Sequence, residues 1–342
     1  MAQDTAGKTK SDGELHRMAK DLTIAICTYN GAQRIPDVLE ALKQQRADRL
    51  AWEVLVVDNN SHDETPQVVQ RYQAEWPLAA PLRYLHEPRQ GKTFAIQRAF
   101  QEAGGDLVGF LDDDNIPSVD WVDAVCTFGH SHPRAGAYGG RILPQYEEPP
   151  PRGVQAIESA FAVVRRDHPH RYPLGGFLGR MFAPGAGLII RKQAWDEAVP
   201  RTLRLNGPSG ASSIGLHEDM EVQWYLHRAG WEIWHNPAME LQHKIPAQRF
   251  EEAYLMRFFR ELALSRHHYR MLVTHPVLRP VMVAAYLLSD SAKLLRDMRR
   301  ATPDNLGVRC RLHMRKCQVI GPFYHWVTGM LKYLRSGSTR TP

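Results

Sequence analysis

Between Leu22 and Leu111 the chain repeats one phrase: a short apolar run that stops at a polar cluster, then a stretch with helical spacing. Leu22–Cys27 is followed by Thr28-Tyr-Asn-Gly31, and Trp52–Val57 by Asp58-Asn-Asn-Ser61. Leu82–His86 leads to Arg89-Gln-Gly-Lys92, and Leu107–Leu111 runs into Asp112-Asp-Asp-Asn115. Runs of five or six β-branched and apolar residues predict buried strands, and Leu82–His86, which includes Arg83, reads as a third, short strand. Between them, residues 34–45, 63–76 and 93–103 have the spacing of helices. Strand alternating with helix predicts a parallel, doubly wound α/β sheet. Ligands bind outside the carboxyl ends of such strands, so the four polar clusters should face one crevice.

The middle of the chain, about 137–215, is rich in glycine and proline and holds a polar loop at 204–215. The segment 217–230 reads as a helix ended by Gly230, and the chain is mostly helical in pattern beyond Pro246. Residues 1–20 are polar, have no apolar core of a signal peptide, and read as a disordered leader. No run of about 18 apolar residues predicts a membrane span. The four cysteines have neither disulfide-framework nor metal spacing, so a reducing cytoplasm is expected.

Net charge matters only once it is divided. The formal +6 is the sum of a body at −6 and a segment from Arg257 to Pro342 at +12. That segment combines Val281–Leu288 with Lys293, Arg296, Arg299 and Arg300, and Tyr324, Trp326, Leu331 and Tyr333 with Lys332 and Arg335. It reads either as a surface for an anionic membrane or as helices packed on the body with solvated cations. An acidic body without a nucleic-acid motif argues against nucleic-acid binding.

Four clusters could carry chemistry. Asp112 and Asp114, two apart in an extended chain, would point the same way and offer oxygens to one hard divalent cation; as a bland alternative, the three aspartates are a capping turn. Asp58 and Thr28-Tyr29-Asn30 end neighbouring strands, where they would meet a base or ribose, though such residues also simply make turns. Arg89-Gln-Gly-Lys92 puts cations at a helix start, suited to an anion. Glu218 and Asp219 stand at a loop-to-helix boundary, where a carboxylate can serve as general base or merely favour the helix dipole. His243 matters only if it faces the aspartates. No GxGxxG or GxxxxGK[ST] is present, against a dinucleotide dehydrogenase or a P-loop enzyme.

In sequence order, TYNG, VVDNNSHDET, RQGKTFAIQRAF, FLDDDNIP and HED resemble the family-2 glycosyltransferases over roughly residues 22–265. The chain is most similar to the bacterial exopolysaccharide members, the hormogonium polysaccharide glycosyltransferases of cyanobacteria among them. The resemblance implies a GT-A fold over 21–256, a Rossmann-like, mostly parallel sheet flanked by helices, with 257–342 as a basic helical extension. It implies a nucleotide-sugar donor, a UDP-sugar by expectation, with Thr28, Tyr29, Asn30 and Asp58 lining the nucleoside pocket and Lys92 near base or diphosphate. Asp112 and Asp114 would be the DxD pair, Asp112 nearer the ribose and Asp114 on Mg²⁺ or Mn²⁺, with Asp113 leaving the register open by one residue. His243 would be a further metal ligand, and Asp219, with Glu218 beside it, the catalytic base.

Two departures bear on this. Gln97 stands where the family often has Asn. Gln248-Arg249-Phe250 is not the QxxRW of processive synthases, which argues for adding one sugar at a time. The expected reaction is metal-dependent, inverting transfer to a hydroxyl of a glycan or lipid-linked acceptor, in the cytoplasm or at the inner face of the plasma membrane. A nucleotidyltransferase acting on sugar phosphates is the alternative enzyme. A non-catalytic glycan- or membrane-binding partner is the alternative outside catalysis.

Overall fold

The computed structural model describes residues 20–173, 182–204, 218–299 and 305–337, with side chains in the last helix described as far as Trp326 and again at Thr328. The expected leader, His217, most of the 204–215 loop, Arg300, and the side chains of Leu331, Lys332, Tyr333 and Arg335 lie outside the described residues.

The first half follows the sequence rhythm. Strands β1 (Lys20–Thr28), β2 (Trp52–Asp58), β3 (Leu82–His86) and β4 (Gly105–Leu111) alternate with helices α1 (Ile35–Lys43), α2 (Thr65–Ala74) and α3 (Lys92–Glu102). All four strands are parallel, in the order β3-β2-β1-β4. Successive side chains of a strand face opposite ways, so Ile24, Ile26, Val54 and Val56 enter one core while Ala25, Leu55 and Val57 enter a second, against α3. Helices on both faces explain why β2 is buried along its whole length. One charge is buried with it. Glu53 accepts from Thr23 Oγ1 (2.9 Å) and Gly104 N (2.8 Å) and pairs with Lys20 and Arg83, at the end of the sheet away from the polar clusters.

The second half is mixed. β5 (Asn115–Pro117), α4 (Trp121–Ser131), β6 (Ala135–Tyr146), β7 (His170–Tyr172), β8 (Leu188–Arg191), α5 (Lys192–Ala198), α6 (Glu218–Arg228) and β9 (Glu232–Ile245) complete a nine-stranded sheet. β8 runs antiparallel between β4 and β6, whereas β6 and β9 are parallel. Gly140 lies at the register shift of that pair. A Cβ there would stand 1.8 Å from Met239 O, so only glycine lets the strands approach.

Three long helices follow: α7 (Glu252–Val273), α8 (Arg279–Arg299) and α9 (Leu306–Gly337). A third apolar cluster joins Phe161, Ile245 and Phe250 to Leu255 and Phe259 of α7 and Cys310 of α9. The division expected at 256/257 thus falls inside a helix that packs on the body.

Candidate active site

The carboxyl ends of β1, β2 and β4 adjoin, and each ends in a turn shaped by its polar residues. After β1, Asn30 takes a left-handed φ of 50°; its N–H donates to Ser61 Oγ (2.9 Å) and its Oδ1 accepts from His62 N (2.8 Å). Asp58, at the end of β2, accepts from Ser61 N (2.9 Å) and from Tyr84 Oη (2.8 Å). Thr28 Oγ1 donates to Asp113 Oδ2 (2.6 Å), and the Tyr29 ring meets His62 edge-on at 6.2 Å. Of the four residues expected around a nucleoside, Thr28, Asn30 and Asp58 are thus tied into the loops that shape this end of the sheet.

Asn59, the residue after β2, holds the third cluster in place. Its Oδ1 accepts from Gly91 N (2.7 Å), and its Nδ2 donates to Arg89 O (2.6 Å) and Glu87 O (3.4 Å). Gly91, with φ 136°, opens α3. The two cations of this turn part ways. Arg89 clasps Glu87 at 2.7 and 2.9 Å and covers the Phe94 ring, whereas Lys92 turns inward to Asp112 (2.7 Å). Gln97 donates to Arg201 O (2.9 Å), a tie to a different loop.

The aspartate run corrects the extended-chain expectation. Asn115 N bonds to Asp112 O (3.0 Å), closing a turn that fans the three carboxylates apart. Asp112 goes to Lys92. Asp113 receives Arg34 as a two-pronged fork, Nε and Nη2 each at 2.8 Å. Asp114 meets Arg249 Nη2 (3.1 Å) and His243 Nε2 (3.4 Å). Three like charges in consecutive residues are each offset by a cation from a different part of the chain. Burial opposes ionisation of Asp114, but His243, Arg249 and Lys92 outweigh it and hold the carboxyl below its ordinary range. Arg34 and Arg249 were missed as partners. No spacing links them to Asp113 or Asp114, 79 and 135 residues away.

For a metal, the expected trio of Asp112, Asp114 and His243 is not assembled. Among the described residues no three of His, Cys, Asp and Glu come together as a ligand set, because the turn sends Asp112 to Lys92. The pair that remains suits a divalent cation. His243 Nδ1 lies 2.9 Å from Phe161 O, which turns Nε2 to Asp114 Oδ2; with its proton on Nδ1, that Nε2 would be open to an ion. Two ligands about 2.1 Å from one ion, at right angles, stand about 3 Å apart, close to the 3.4 Å found here. Arg249 Nη1 stands 3.1 Å from that Nε2, a protein cation beside both groups.

Lys92, Asp112, His243, Glu218 and Asp219 all line one cavity of about 420 Å³, closed on its apolar side by residues such as Phe182, Leu188 and Phe258. Glu218 and Asp219 open α6, which Gln223 fastens with bonds to both Ala183 N (3.0 Å) and Ala183 O (2.8 Å). Asp219 Oδ1 accepts from Met220 N (2.8 Å), and its Oδ2 faces Gly185, where a Cβ would come within 3.2 Å. Burial pushes the Glu218 carboxyl up to about 7, with Lys92 opposing and Asp219 and Asp112 adding to the rise. Burial also disfavours a charged Lys92, yet Asp112 and Glu218 hold its proton well above the usual range. A carboxyl that changes charge near neutrality beside a fixed cation is the equipment of proton transfer.

The family model for Glycosyl transferase family 2 matches residues 23–196, from β1 through the start of α5. The chain belongs to that family. Among its relatives, succinoglycan biosynthesis protein ExoM of Rhizobium meliloti is 25% identical over 258 residues, covering 73% of this chain and 75% of the relative. Glycosyltransferase AglE of Haloferax volcanii is 28% identical over 102 residues, which span 30% of this chain and only 33% of AglE. The mannosyltransferase PcManGT from Pyrobaculum calidifontis, solved with GDP-Man and Mn²⁺, superposes with a TM-score of 0.55 at 18% identity, over 89% of this chain and 86% of that one. That likeness is one of fold: the family-2 chain has the mixed, mostly parallel GT-A sheet, followed by its own C-terminal helices.

Proposed function

We propose that this chain moves one sugar from a nucleotide-sugar donor, a UDP-sugar, to a hydroxyl of a glycan or lipid-linked acceptor, with inversion and with Mn²⁺ or Mg²⁺. The observation that carries the reading is the convergence of Lys92, Asp112, Glu218, Asp219 and His243 on one cavity at the carboxyl end of the sheet. Thr28, Tyr29, Asn30, Asp58 and Asp113 shape the nucleoside side of the cleft, and Asp112 with Lys92 meets the ribose and diphosphate. Asp114 and His243 would hold the metal, displacing Arg249. Bound there, the cation would offset charge on the leaving diphosphate.

The chemistry asked of the protein is a proton removed and an attack aligned. Asp219, more accessible than its neighbour Glu218, takes the proton of the acceptor hydroxyl as that oxygen attacks the anomeric carbon and the bond to the diphosphate breaks. With Asp219 as the base, Glu218 buried beside it and Asp112 paired with Lys92, the reading is a single displacement, hence inversion. PcManGT, with its bound GDP-Man and Mn²⁺, supports a nucleotide-sugar donor and a metal by analogy of fold, and ExoM, named for succinoglycan biosynthesis, supports a polysaccharide context by sequence relationship. An acceptor met at an anionic membrane surface, on the cytoplasmic side, belongs to the same reading. Among the described residues no helix is long and apolar enough to cross a membrane.

A donor panel tests this. UDP-, GDP- and dTDP-sugars with Mn²⁺ are expected to raise the melting temperature by several degrees for the right donor at about 100 times its Kd, and Asp114→Ala to abolish the Mn²⁺-dependent part. If no nucleotide sugar stabilises the protein or is hydrolysed by it, the reading fails.

A further inference from the structure

The helical extension has a face that no described residue covers. At about 100° per residue, Val281, Ala284, Leu288, Ala292, Leu295 and Arg299 fall on one side of α8, and all six are exposed. Val281 is 68% exposed and Leu288 74%. The one buried residue of the helix, Asp290, lies on the opposite side, where it pairs with Arg270 of α7. Val277 (77%) and Leu278 (55%) carry the apolar edge into the turn before α8. A large apolar stripe left open on a surface marks something that binds it.

What borders the stripe identifies the partner. Beside the turn that carries Val277 and Leu278 lies a cavity of about 510 Å³, lined by Arg204, Arg228, Arg279 and His275 together with Trp224 and Tyr225. The Arg228 guanidinium sits 5.0 Å over the Trp224 ring, and the Nε of Arg279 is buried without a hydrogen-bond partner. One buried carboxylate, Glu221, stands at this wall, where it accepts from Arg204 N at 2.9 and 3.0 Å. Three arginines beside a single buried carboxylate leave the concavity positive, and an anion with several acceptor oxygens relieves it. Arg296 and Arg299 stand exposed near the far end of the stripe. An immersed apolar stripe with cations at its margin is the pattern of a helix lying in a membrane interface.

We propose that α8 lies in the plane of an anionic phospholipid surface with its Val281–Leu288–Leu295 side immersed, and that the arginine cavity takes a lipid phosphate headgroup. This deepens the reading above by naming the surface at which the acceptor is met, and rests on that reading only for its purpose. Docking itself needs no sugar transfer. A second copy of the chain would bring the same cations to the contact, and like charges facing one another disfavour it.

The test is co-sedimentation of the full chain with vesicles of phosphatidylcholine alone and with phosphatidylglycerol added. Binding is expected only to the anionic vesicles and should weaken as salt rises. The pair Arg228→Glu with Arg279→Glu should lower the partition at least about tenfold, and Val281→Asp with Leu288→Asp should do the same. Arg46→Glu with Arg71→Glu, an equal change of charge on the body, should alter it less than twofold. Melting temperature and donor-induced stabilisation, measured on every variant, separate loss of docking from loss of fold or of the sugar-transfer site. Absence of binding to anionic vesicles at low salt overturns the proposal, as does an equal loss in the body variant. Self-association abolished by the α8 substitutions, without vesicle binding, would give the face to a second copy instead. Stabilisation by inorganic phosphate without vesicle binding would reduce the cavity to a free-phosphate site and equally overturn it.

Discussion

Aspartates 112–114 show how far identity outruns geometry at the scale of single residues. Three adjacent acids announce a charged site, but their directions follow from a turn closed by Asn115 and from cations that arrive from positions 34, 92 and 249. Glu218 is the residue whose behaviour the fold alters most. Its carboxyl is raised to about 7 in the folded state, so between the ordinary glutamate value and 7 the folded chain binds more protons than the unfolded one. Stability contributed by that proton is present at low pH and lost as pH rises through 7. Glu218→Gln is therefore expected to gain on the wild type by about 1–3 kcal/mol between pH 5 and pH 8, read by denaturant unfolding at each pH. Equal curves for the two proteins would show that the carboxyl is not held protonated. The acids themselves were legible in the sequence, whereas Arg34, Arg249 and Gln223 were not, because nothing local distinguishes a partner from any solvated polar residue.

At the scale of elements, strands β1, β2 and β4 were readable because both of their faces are buried, whereas β3, at the sheet edge with only Leu82 buried, was readable from its place in the rhythm. Five or six apolar residues in a row leave little else for a segment to be. The strands of the second half are shorter or interrupted, and β8 has only four residues between two antiparallel neighbours. Its place is set by pairing rather than by its own pattern. Loops between elements also need ties, and Asn59 supplies one from β2 to the start of α3. Asn59→Ala removes acceptance from Gly91 N and donation to two carbonyls, at a cost of about 1–3 kcal/mol. Lys92 begins the helix that this turn positions, so donor binding should weaken along with stability. A loss of stability with unchanged donor affinity would confine Asn59 to a structural role.

For the whole molecule, the question is how the basic helices join the sheet. Their contact with it is the cluster around Phe161, Phe250 and Phe259, and polar ties then join the helices to one another. His325 Nε2 lies 2.9 Å from Leu264 O, and Asp290 takes the fork of Arg270, Nη2 to Oδ1 at 3.0 Å. Burial raises the cost of a charged Asp290, but Arg270, with Arg266 and Lys293, holds its carboxyl below the usual range. Asp290→Ala leaves Arg270 unpaired in a half-buried site and is expected to cost about 3–5 kcal/mol. Faster amide exchange should appear in α8 while β1 to β4 keep their protection; uniform acceleration would mean that extension and sheet unfold as one unit. By itself the sequence determined the parallel half of the sheet, the polar clusters at its carboxyl ends and the division of charge between body and extension, because these depend on residues adjacent in the chain. Only the tertiary structure decided which cation answers each aspartate, that Glu218 is buried while Asp219 stays accessible, and that the apolar side of α8 remains open. Those outcomes depend on burial and on partners tens to hundreds of residues apart, which no local pattern encodes.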